Sequence, residues 1–271
     1  MPEIHPSSLV DPKAQLHESV RIGPFCTITG DVRLAANVQL LSHVCLYGPL
    51  TVGARTTIYP GTCLGLPPQD VKFKLGDVTA GIVVGEDCIL REHVTIHSAS
   101  KSDIPTTIGN NIFMMASSHV GHDAHVHDNV ILVNCALLGG HSAIFAGATL
   151  GGLAAIHQFC RVGRLAFVGG LSAVTRDIPP FCLSALRGTM QSVNLVGMRR
   201  AGVPREHITA VRRAFWHVLR ANLPRKETIT ELEARGKDCP LIIEMAEFVA
   251  TAKRPIARGI GGHSDQAAGE D

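Results

Sequence analysis

Histidine offers the clearest chemistry in this sequence, since an imidazole can gain or lose a proton near neutral pH. His122 is followed directly by Asp123, and a carboxylate beside an imidazole can fix its tautomer and stabilise the cation that forms. Steps of 18 residues lead from His122 to Gly140 and Gln158, and from Asp123 to His141. Residue types that can do chemistry therefore recur with one fixed spacing.

A neighbouring series contains His97, Gly121, Gly139 and His157. If equal positions of the repeat stack, four histidines, one carboxylate and one glutamine gather at one corner of the fold. We therefore expect the active site at this corner. The His122–Asp123 pair is suited to general-base catalysis on a hydroxyl or an amine.

A metal site is the alternative use of clustered histidines. Side chains one coil apart are separated by about one strand spacing and project side by side, so they do not converge tetrahedrally on an ion. General-base catalysis needs no such convergence. We predict no metal ligands and no cofactor.

The sequence elements that position these residues follow a six-residue period. Aliphatic side chains recur at every sixth place from Val10 to Val174, with interruptions near residues 66–83 and 98–107. This period fits neither a helix nor an alternating strand, but it fits short strands joined by turns, three to a coil. We predict a mainly β fold for residues 1–180, a parallel β-helix of hexapeptide repeats whose two inserted loops leave from the same corner.

Beyond residue 180 the apolar spacing becomes helical. Segments 203–221, 228–235 and 238–254 carry apolar residues three and four places apart, and prolines lie near the start of two of them. The sequence predicts a small α-helical C-terminal domain over residues 181–258 and a disordered tail over residues 259–271.

Composition and charge narrow the functional classes. Hydrophobic residues make up 45% of the chain and charged residues 18%, which supports a large core and excludes a disordered chain. The basic segment 180–258 indicates an acidic partner or a phosphate-bearing ligand, or a solvated helix face. We predict no nucleic-acid partner, no transmembrane segment and no secretory signal. Eight cysteines without a CxxC motif fit reduced thiols in the cytoplasm.

Several motifs among the hexads resemble one family. They are Gln69-Asp70-Val71-Lys72, Val94-Thr95-Ile96-His97, His119-Val120-Gly121-His122-Asp123, Leu138-Gly139-Gly140-His141, Ala155-Ile156-His157-Gln158-Phe159-Cys160, Val168-Gly169-Gly170, Asp177-Ile178-Pro179-Pro180 and Val193-Asn194. Together they resemble the UDP-N-acetylglucosamine O-acyltransferases of lipid A biosynthesis, a family of hexapeptide-repeat enzymes. The resemblance covers nearly all of the chain before Gly259 and implies that the β-helix is left-handed.

The resemblance also implies a reaction. A homotrimer would transfer an (R)-3-hydroxyacyl group from acyl carrier protein to the 3-hydroxyl of UDP-N-acetylglucosamine, the first step of lipid A biosynthesis. His122 would act as the general base, Asp123 as its orienting partner and the Gly140 N–H as an oxyanion donor. The substrate-binding residues implied are Gln69, Asp70, Lys72, His97, His119, His141, His157, Gln158, Asn194 and Arg200.

Gly170 matches the family position that ends a hydrocarbon ruler, where glycine allows a long acyl chain of the 3-hydroxymyristoyl kind. The alternative is that this glycine only suits a tight turn. The sequence departs from the family pattern at Val196, where an acidic residue is common, and at Ala201, where a second arginine often follows. Where the family often has a Gly-Asn pair after the Pro-Pro turn, this chain reads Ala185-Leu186-Arg187-Gly188 and is one residue shorter in that stretch. The resemblance therefore does not carry over the nucleotide contacts of residues 185–201.

Other functions stay open at this point. The related N-acyltransferase of the same pathway resembles a longer chain with an added N-terminal uridine-binding domain, which this sequence does not show. An ice-binding β-helix needs threonine ladders, and a carbonic-anhydrase-like enzyme needs zinc. The sequence does not distinguish a 3-hydroxyl from a 3-amino acceptor sugar. Residues expected to dock the carrier protein are Arg161, Arg164, Arg199, Arg212, Arg213 and Arg220.

Overall fold

The computed structural model describes residues 1–74 and 76–260. Three sheets wind around a common axis, and each coil contributes one short strand to each sheet. Sheet A contains β1 (Glu3–Ile4), β4 (Arg21–Ile22), β7 (Gln39–Leu40), β10 (Thr57–Ile58), β13 (Ile89–Leu90), β16 (Phe113–Met114), β19 (Ile131–Leu132), β22 (Thr149–Leu150), β25 (Phe167–Val168), β27 (Cys182–Ala185) and β28 (Thr189–Val193).

The other two sheets follow the same order along the axis. Sheet B contains β2 (Leu9–Val10), β5 (Thr27–Thr29), β8 (Cys45–Tyr47), β11 (Cys63–Leu66), β14 (Thr95–His97), β17 (His119–Val120), β20 (Leu137–Leu138), β23 (Ala155–Ile156) and β26 (Ala173–Val174). Sheet C contains β3 (Gln15–Leu16), β6 (Val32–Leu34), β9 (Leu50–Val52), β12 (Ile82–Val84), β15 (Thr106–Ile108), β18 (His125–Val126), β21 (Ala143–Ile144) and β24 (Arg161–Val162).

The hexad aliphatic side chains form the core inside the coil. From Ile22 to Val174 each of them is exposed by 3% or less. Cys26, Cys88 and Cys160 occupy the small-residue positions beside them and are also buried. Apolar burial of this extent is the main stabilising contribution to such a fold. The predicted mainly β, parallel β-helix of hexapeptide repeats with α-helices at its C-terminal end is confirmed.

Both inserted loops leave sheet B and return in sheet C. The first runs between β11 and β12, and the second between β14 and β15. Strands β12 and β15 pair in register despite the insertions, with Ile82 opposite Thr106. The insertions therefore do not disturb the stacking, and both loops emerge at the corner that joins sheets B and C.

The first residues of the predicted helical domain, 181–258, are not helical. The chain after residue 180 first forms the antiparallel hairpin of β27 and β28, which extends sheet A because β27 pairs with β25. The helices are α1 (Leu195–Arg200), α2 (Arg205–Ala214) with a wider turn over Phe215–Leu219, α3 (Arg225–Arg235) and α4 (Pro240–Ala250). In the described residues, no helix combines the length and apolarity that a membrane crossing needs.

The predicted tail begins inside the ordered structure. The N–H of Gly259 donates to the Asn222 side-chain oxygen over 3.0 Å, and the N–H of Ile260 donates to the Met190 carbonyl over 3.1 Å. The polar, glycine-rich sequence of the predicted tail contains no pattern that predicts these two hydrogen bonds. Residues 261–271 lie outside the described part of the chain.

A buried ion pair joins the last coil to the helices. Arg161 donates through Nε to Asp177 over 2.7 Å, and its other nitrogens donate to the Phe248 carbonyl and the Thr251 hydroxyl. The Arg161 guanidinium also lies 4.1 Å from the centroid of the Phe248 ring. The Asp177 side chain is 1% exposed, so its charge has no solvent to compensate for a lost partner.

We therefore expect Arg161→Ala to destabilise the helical region by about 3–5 kcal/mol, because it leaves the Asp177 carboxylate buried without its partner. Urea denaturation followed by the fluorescence of Trp216, the single tryptophan, measures this effect where it acts. The control is Arg235→Ala, which removes an exposed ion pair within α3 and is worth less than about 0.5 kcal/mol. Equal losses in both variants would contradict the assignment.

Candidate active site

The turns between sheets B and C place the predicted side chains one above another. Asp123, His141 and Phe159 occupy the same left-handed turn position in three successive coils, with φ of 57°, 58° and 64°. The N–H of His141 donates to the His122 carbonyl over 3.0 Å, and the N–H of Phe159 donates to the Gly140 carbonyl over 3.1 Å. The 18-residue series read from the sequence is therefore a real stack.

His122 and Asp123 form the expected pair. The distance from His122 Nδ1 to Asp123 Oδ2 is 2.6 Å. An ionised carboxylate only accepts hydrogen bonds, so Nδ1 carries the proton and the lone pair of Nε2 is free. The pair is therefore arranged for His122 to accept a proton through Nε2.

The second inserted loop holds Asp123 in place. Ser100 donates to its carboxylate from the backbone N–H over 3.1 Å and from the hydroxyl over 2.6 Å. Thr106 accepts from the Asp123 N–H over 2.8 Å. Sequence analysis missed both residues, because serine and threonine in a polar loop carry no pattern that would distinguish them.

The environment keeps Asp123 ionised. Burial by itself raises the pKa of this carboxyl, but the hydrogen bonds from His122 and Ser100 together outweigh it and lower the pKa below its usual range. His141 adds to this effect, with its Nε2 3.6 Å from Asp123 Oδ2. A carboxylate that stays charged can stabilise the imidazolium of His122 during a reaction.

Gly140 lies directly beside the reactive nitrogen. A Cβ atom on this glycine would lie 2.7 Å from His122 Nε2, closer than real Cβ atoms approach a neighbour. Its φ is outside the left-handed range, so backbone conformation is not the reason for glycine here. The Gly140 N–H has no hydrogen-bond partner among the described residues. A free N–H therefore lies next to a free lone pair.

A second pair of histidines lies beside His122: His119 precedes it in the same coil, and His97 belongs to the coil before. The rings of His97 and His119 meet edge to face with centroids 5.0 Å apart, and Thr95 Oγ1 is 2.8 Å from His119 Nδ1. Burial, aided by the charges of His97 and His122, lowers the pKa of His119 to about 4. Burial also lowers the pKa of His97, whose Nδ1 is buried without a partner in the described structure. Both rings are neutral at pH 7.

Phe159 is a site residue whose role the sequence did not reveal. Its ring stacks on His141 at 4.5 Å between centroids and an angle of 3°, although half of the side chain is exposed. A left-handed backbone costs a non-glycine residue about 1–2 kcal/mol. The stack fixes the plane of the His141 ring beside Asp123.

An open cleft of about 610 Å³ lies on the face of sheet B at this corner. Its polar lining includes many of the predicted residues. They are Gln69, His119, His122, Gly140, His157 and Gln158. Leu137 and Ala155 continue the lining across the sheet as an apolar strip. The cleft therefore has a polar end at the site corner and an apolar floor beyond it.

The first inserted loop reaches the same corner. Gln69 lines the cleft, and Asp70 lies close enough to His141 to influence its charge. The carboxylate of Asp70 accepts from the Lys72 N–H over 2.9 Å. The Lys72 side chain is exposed and does not line the cleft.

Asn194, Arg200 and Gly170 are not brought to the cleft of this chain. Asn194 caps α1 by accepting from the Gly197 N–H over 3.0 Å, and its amide donates to the Leu165 carbonyl over 2.9 Å. Arg200 is exposed at the end of α1, and Gly170 lies in a turn between sheets A and B. Asn194 thus has a structural role that sequence analysis did not anticipate.

One group of side chains could also hold a metal ion. Ligand atoms of His122, Asp123 and His141 lie within 4.8 Å of one another. The Asp123 carboxylate already accepts from His122 and Ser100, so an ion would have to displace these hydrogen bonds. The donor set fits the hydrogen-bonded pair better than a metal centre.

Comparison with known proteins identifies the family. Relatives from Sinorhizobium fredii and Thermodesulfovibrio yellowstonii, both named acyl-[acyl-carrier-protein]–UDP-N-acetylglucosamine O-acyltransferase, are each 40% identical to this chain. The first matches over 250 residues, 92% of each chain, and the second over 260 residues, 95% of this chain and 100% of the relative. This chain belongs to the UDP-N-acetylglucosamine O-acyltransferase family.

The structure agrees with this membership. The UDP-N-acetylglucosamine O-acyltransferase of Moraxella catarrhalis superposes with a TM-score of 0.90 at 31% identity, covering 94% of this chain and 99% of that chain. The family model for domain 2 of the UDP N-acetylglucosamine O-acyltransferases matches residues 177–260. The chain is thus an acyltransferase with the left-handed coil predicted from the resemblance, and the ice-binding and carbonic-anhydrase-like alternatives are set aside.

The low pKa of His119 predicts a loss of stability in mild acid. The unfolded chain binds a proton here below about pH 6.5, whereas the folded chain binds it only near pH 4. The stabilisation is present above pH 6.5 and declines as the pH falls towards 4. Between pH 7 and 5 the native protein should lose about 2 kcal/mol more than His119→Gln.

Urea denaturation at both pH values measures the difference. His17→Gln changes an exposed histidine and serves as the control, since it should lose as much stability as the native chain. Identical pH profiles for the native protein and His119→Gln would show that His119 protonates freely in the folded state.

Proposed function

We propose that this chain transfers an (R)-3-hydroxyacyl group from acyl carrier protein to the 3-hydroxyl of UDP-N-acetylglucosamine, the first step of lipid A biosynthesis. The observation that carries the proposal is the juxtaposition of a free imidazole nitrogen on His122 and a free backbone N–H on Gly140. Acyl transfer needs a base for the attacking hydroxyl and a donor for the oxyanion, within reach of one carbonyl group.

The reaction begins with proton transfer to His122 Nε2. The sugar oxygen attacks the thioester carbonyl as its proton moves to the imidazole, and the Gly140 N–H donates to the oxyanion of the tetrahedral intermediate. Collapse of the intermediate breaks the carbon–sulfur bond, and the imidazolium returns its proton to the departing thiolate. Asp123 stabilises the imidazolium between these steps.

The polar end of the cleft suits the sugar. His97 offers an unsatisfied buried nitrogen, and neutral His119 beside it can donate or accept without the cost of burying a charge. Gln69, His157 and Gln158 line the cleft. Asp70 and Lys72 on the first loop and His141 beside Asp123 lie outside this lining but near the same corner. We assign these residues to the N-acetylglucosamine and diphosphate groups.

The apolar strip suits the acyl chain. Leu137 and Ala155 lead across sheet B towards the turns that contain Gly152 and Gly170. Neither glycine has a left-handed φ, so turn conformation does not require glycine at either place. A Cβ on Gly170 would lie 3.1 Å from the Gly152 carbonyl oxygen. This tight approach favours glycine at position 170 through packing as well. The ruler interpretation is supported by the lack of a side chain at both positions, which leaves the groove open for a long chain.

We propose that the active enzyme is a homotrimer with sites between neighbouring coils. The cleft is open, and the apolar side chains of Leu137, Leu153 and Leu171 beside the groove are 45%, 57% and 77% exposed. A second coil would cover them and form the opposite wall. The exposed Arg200 could meet the nucleotide in the cleft of a neighbouring chain, whereas Asn194 would have to exchange its hydrogen bonds with Gly197 and Leu165 to do so.

The carrier protein is assigned to the basic face of the helices, with two corrections. Arg161 is committed to Asp177, and Arg164 pairs with Glu244 over 2.7 Å, so neither is free for docking. Arg199, Arg212 and Arg213 are exposed in α1 and α2 and fit an acidic partner. Arg220 contacts the Trp216 ring and the Ile260 carbonyl and is less available.

We propose that the reaction takes place in the cytoplasm without a metal or an organic cofactor. All eight cysteines are free thiols, which suits a reducing compartment. His122 carries out both proton transfers, Asp123 stabilises the imidazolium, and the Gly140 N–H stabilises the oxyanion. The phosphopantetheine thioester arrives with the donor substrate.

His122→Ala tests the catalytic proposal. We expect the variant to fold and to lose about 10²- to 10⁴-fold in kcat, the usual contribution of a general base. Mass spectrometry of the product from UDP-N-acetylglucosamine and hydroxyacyl carrier proteins measures turnover and confirms the acyl position. His17→Gln, far from the cleft, should keep full activity. A His122→Ala variant with more than about a tenth of native kcat would remove the residue from this role.

Gly170→Met tests the ruler. A methionine side chain would fill the groove and shift preference towards a chain several carbons shorter, since each buried methylene is worth about 0.8 kcal/mol. The ratio of kcat/KM between long and short donors measures this shift. Gly169→Ala is the control, because its Cβ would meet neighbours at 3.4 Å, an ordinary contact. Equal losses for all donors would make Gly170 a turn residue only.

A further inference from the structure

A second cavity, of about 450 Å³, lies between the last coil and the helices. Its lining is strongly basic and contains no acidic side chain. The cationic residues are Arg176, Arg225, Lys253, Arg254 and Arg258. They come from three separate parts of the sequence, so no local sequence pattern predicts the cluster.

None of these five side chains forms an ion pair with a carboxylate in the described part of the chain. This differs from other arginines of the molecule, such as Arg55 with Asp87 and Arg164 with Glu244. Asp177 lies near Arg254, but its oxygens are bonded to the N–H and Nε of Arg161. Five like charges around one cavity repel one another, and a bound anion would reduce this repulsion.

Two of the guanidinium groups are held in place by backbone carbonyls. Arg225 donates to the Ala250 carbonyl, and Arg254 donates to the Thr175 carbonyl over 3.3 Å. A guanidinium has five N–H donors, so most remain available on each side chain. These two side chains are therefore already ordered before a ligand binds, which lowers the entropy cost of binding.

The cavity also has an apolar floor. Met190, Leu219 and Val249 line it and are 1%, 4% and 1% exposed. Leu223 and Ile256 complete this surface. A hydrated inorganic anion would gain nothing from such a floor, whereas a ligand with an apolar group would bury it there.

The cavity is separate from the catalytic cleft. No residue lines both of them. Arg176 continues the series of His122, Gly140 and Gln158 by one more step of 18, which places it three coils from His122, about 14 Å along the axis. A ligand in this cavity therefore does not have to overlap the acceptor sugar.

We propose that this cavity binds a small phosphate monoester with a compact apolar group. A phosphate dianion matches several unpaired cations better than a single carboxylate, and arginine forks bind phosphate oxygens in pairs. The apolar group lies against Leu223 and Ile256, the apolar lining side chains that are partly exposed, above the buried Met190, Leu219 and Val249. This site is independent of the acyl-transfer proposal, because it shares no residue with the cleft.

Isothermal titration calorimetry of the full chain with octyl phosphate, below its micellar concentration, tests the site. We expect one site per chain, affinity that falls as KCl is raised, and at least tenfold weaker binding of inorganic phosphate. The double variant Lys253→Glu/Arg258→Glu should lose at least tenfold in affinity. The matched control Arg187→Glu/Lys237→Glu has the same change in net charge on exposed residues outside the cavity and should bind as the native chain does.

Three results would overturn the proposal. The first is absence of octyl phosphate binding, and the second is an equal loss of affinity in both double variants, which would indicate a general charge effect. The third is native affinity for octyl phosphate in the Lys253→Glu/Arg258→Glu variant, which would place the binding outside this cavity. Equal affinity for inorganic and octyl phosphate would overturn the assignment of the apolar floor. Circular dichroism and the melting temperature of both double variants establish that they are folded.

Discussion

Parallel stacking in register is the constraint on which the whole molecule depends. Backbone hydrogen bonds join each coil to the next at equal positions of the repeat, so a side chain lies one strand spacing from its counterpart 18 residues later. Burial of the hexad aliphatic residues fixes which positions face inward. Side chains at the turns are then left to form columns on the surface, and the residues proposed to be catalytic are members of such columns.

Stacking alone does not make an active site, because equal positions in neighbouring coils project side by side. An active site forms where the inserted loops add hydrogen-bonding groups that the columns lack. Ser100 in the second loop and Thr106 at the start of β15 hold Asp123, and Asp123 in turn holds His122. Gly140 contributes by lacking a side chain, since any Cβ would displace the imidazole. The site thus combines a rigid column with a loop that orients one member of it.

The junction with the helices follows a different principle. It depends on a few strong polar contacts, of which the Arg161–Asp177 pair is buried and the Arg164–Glu244 pair is partly exposed. The same region contains five cations without carboxylate partners in the described residues. Arginines close together in this part of the fold therefore serve different purposes, and only their partners distinguish a structural arginine from one available to a ligand.

The sequence alone determined the coil, its corner and the identity of the His122–Asp123 pair, because a strict hexad period dictates inward positions and stacking by steps of 18. The resemblance to a family supplied the roles of the surrounding residues. Tertiary structure decided the contacts that no period encodes. At the site these are the hydrogen bonds of Ser100 and the stacking of Phe159. Near the helices they are the capping role of Asn194, the ion pairs of Arg161 and Arg164, the hairpin of β27 and β28, and the hydrogen bond of Gly259. These contacts join residues far apart in the chain and outside the repeat, so their geometry depends on how loops, coil and helices pack together.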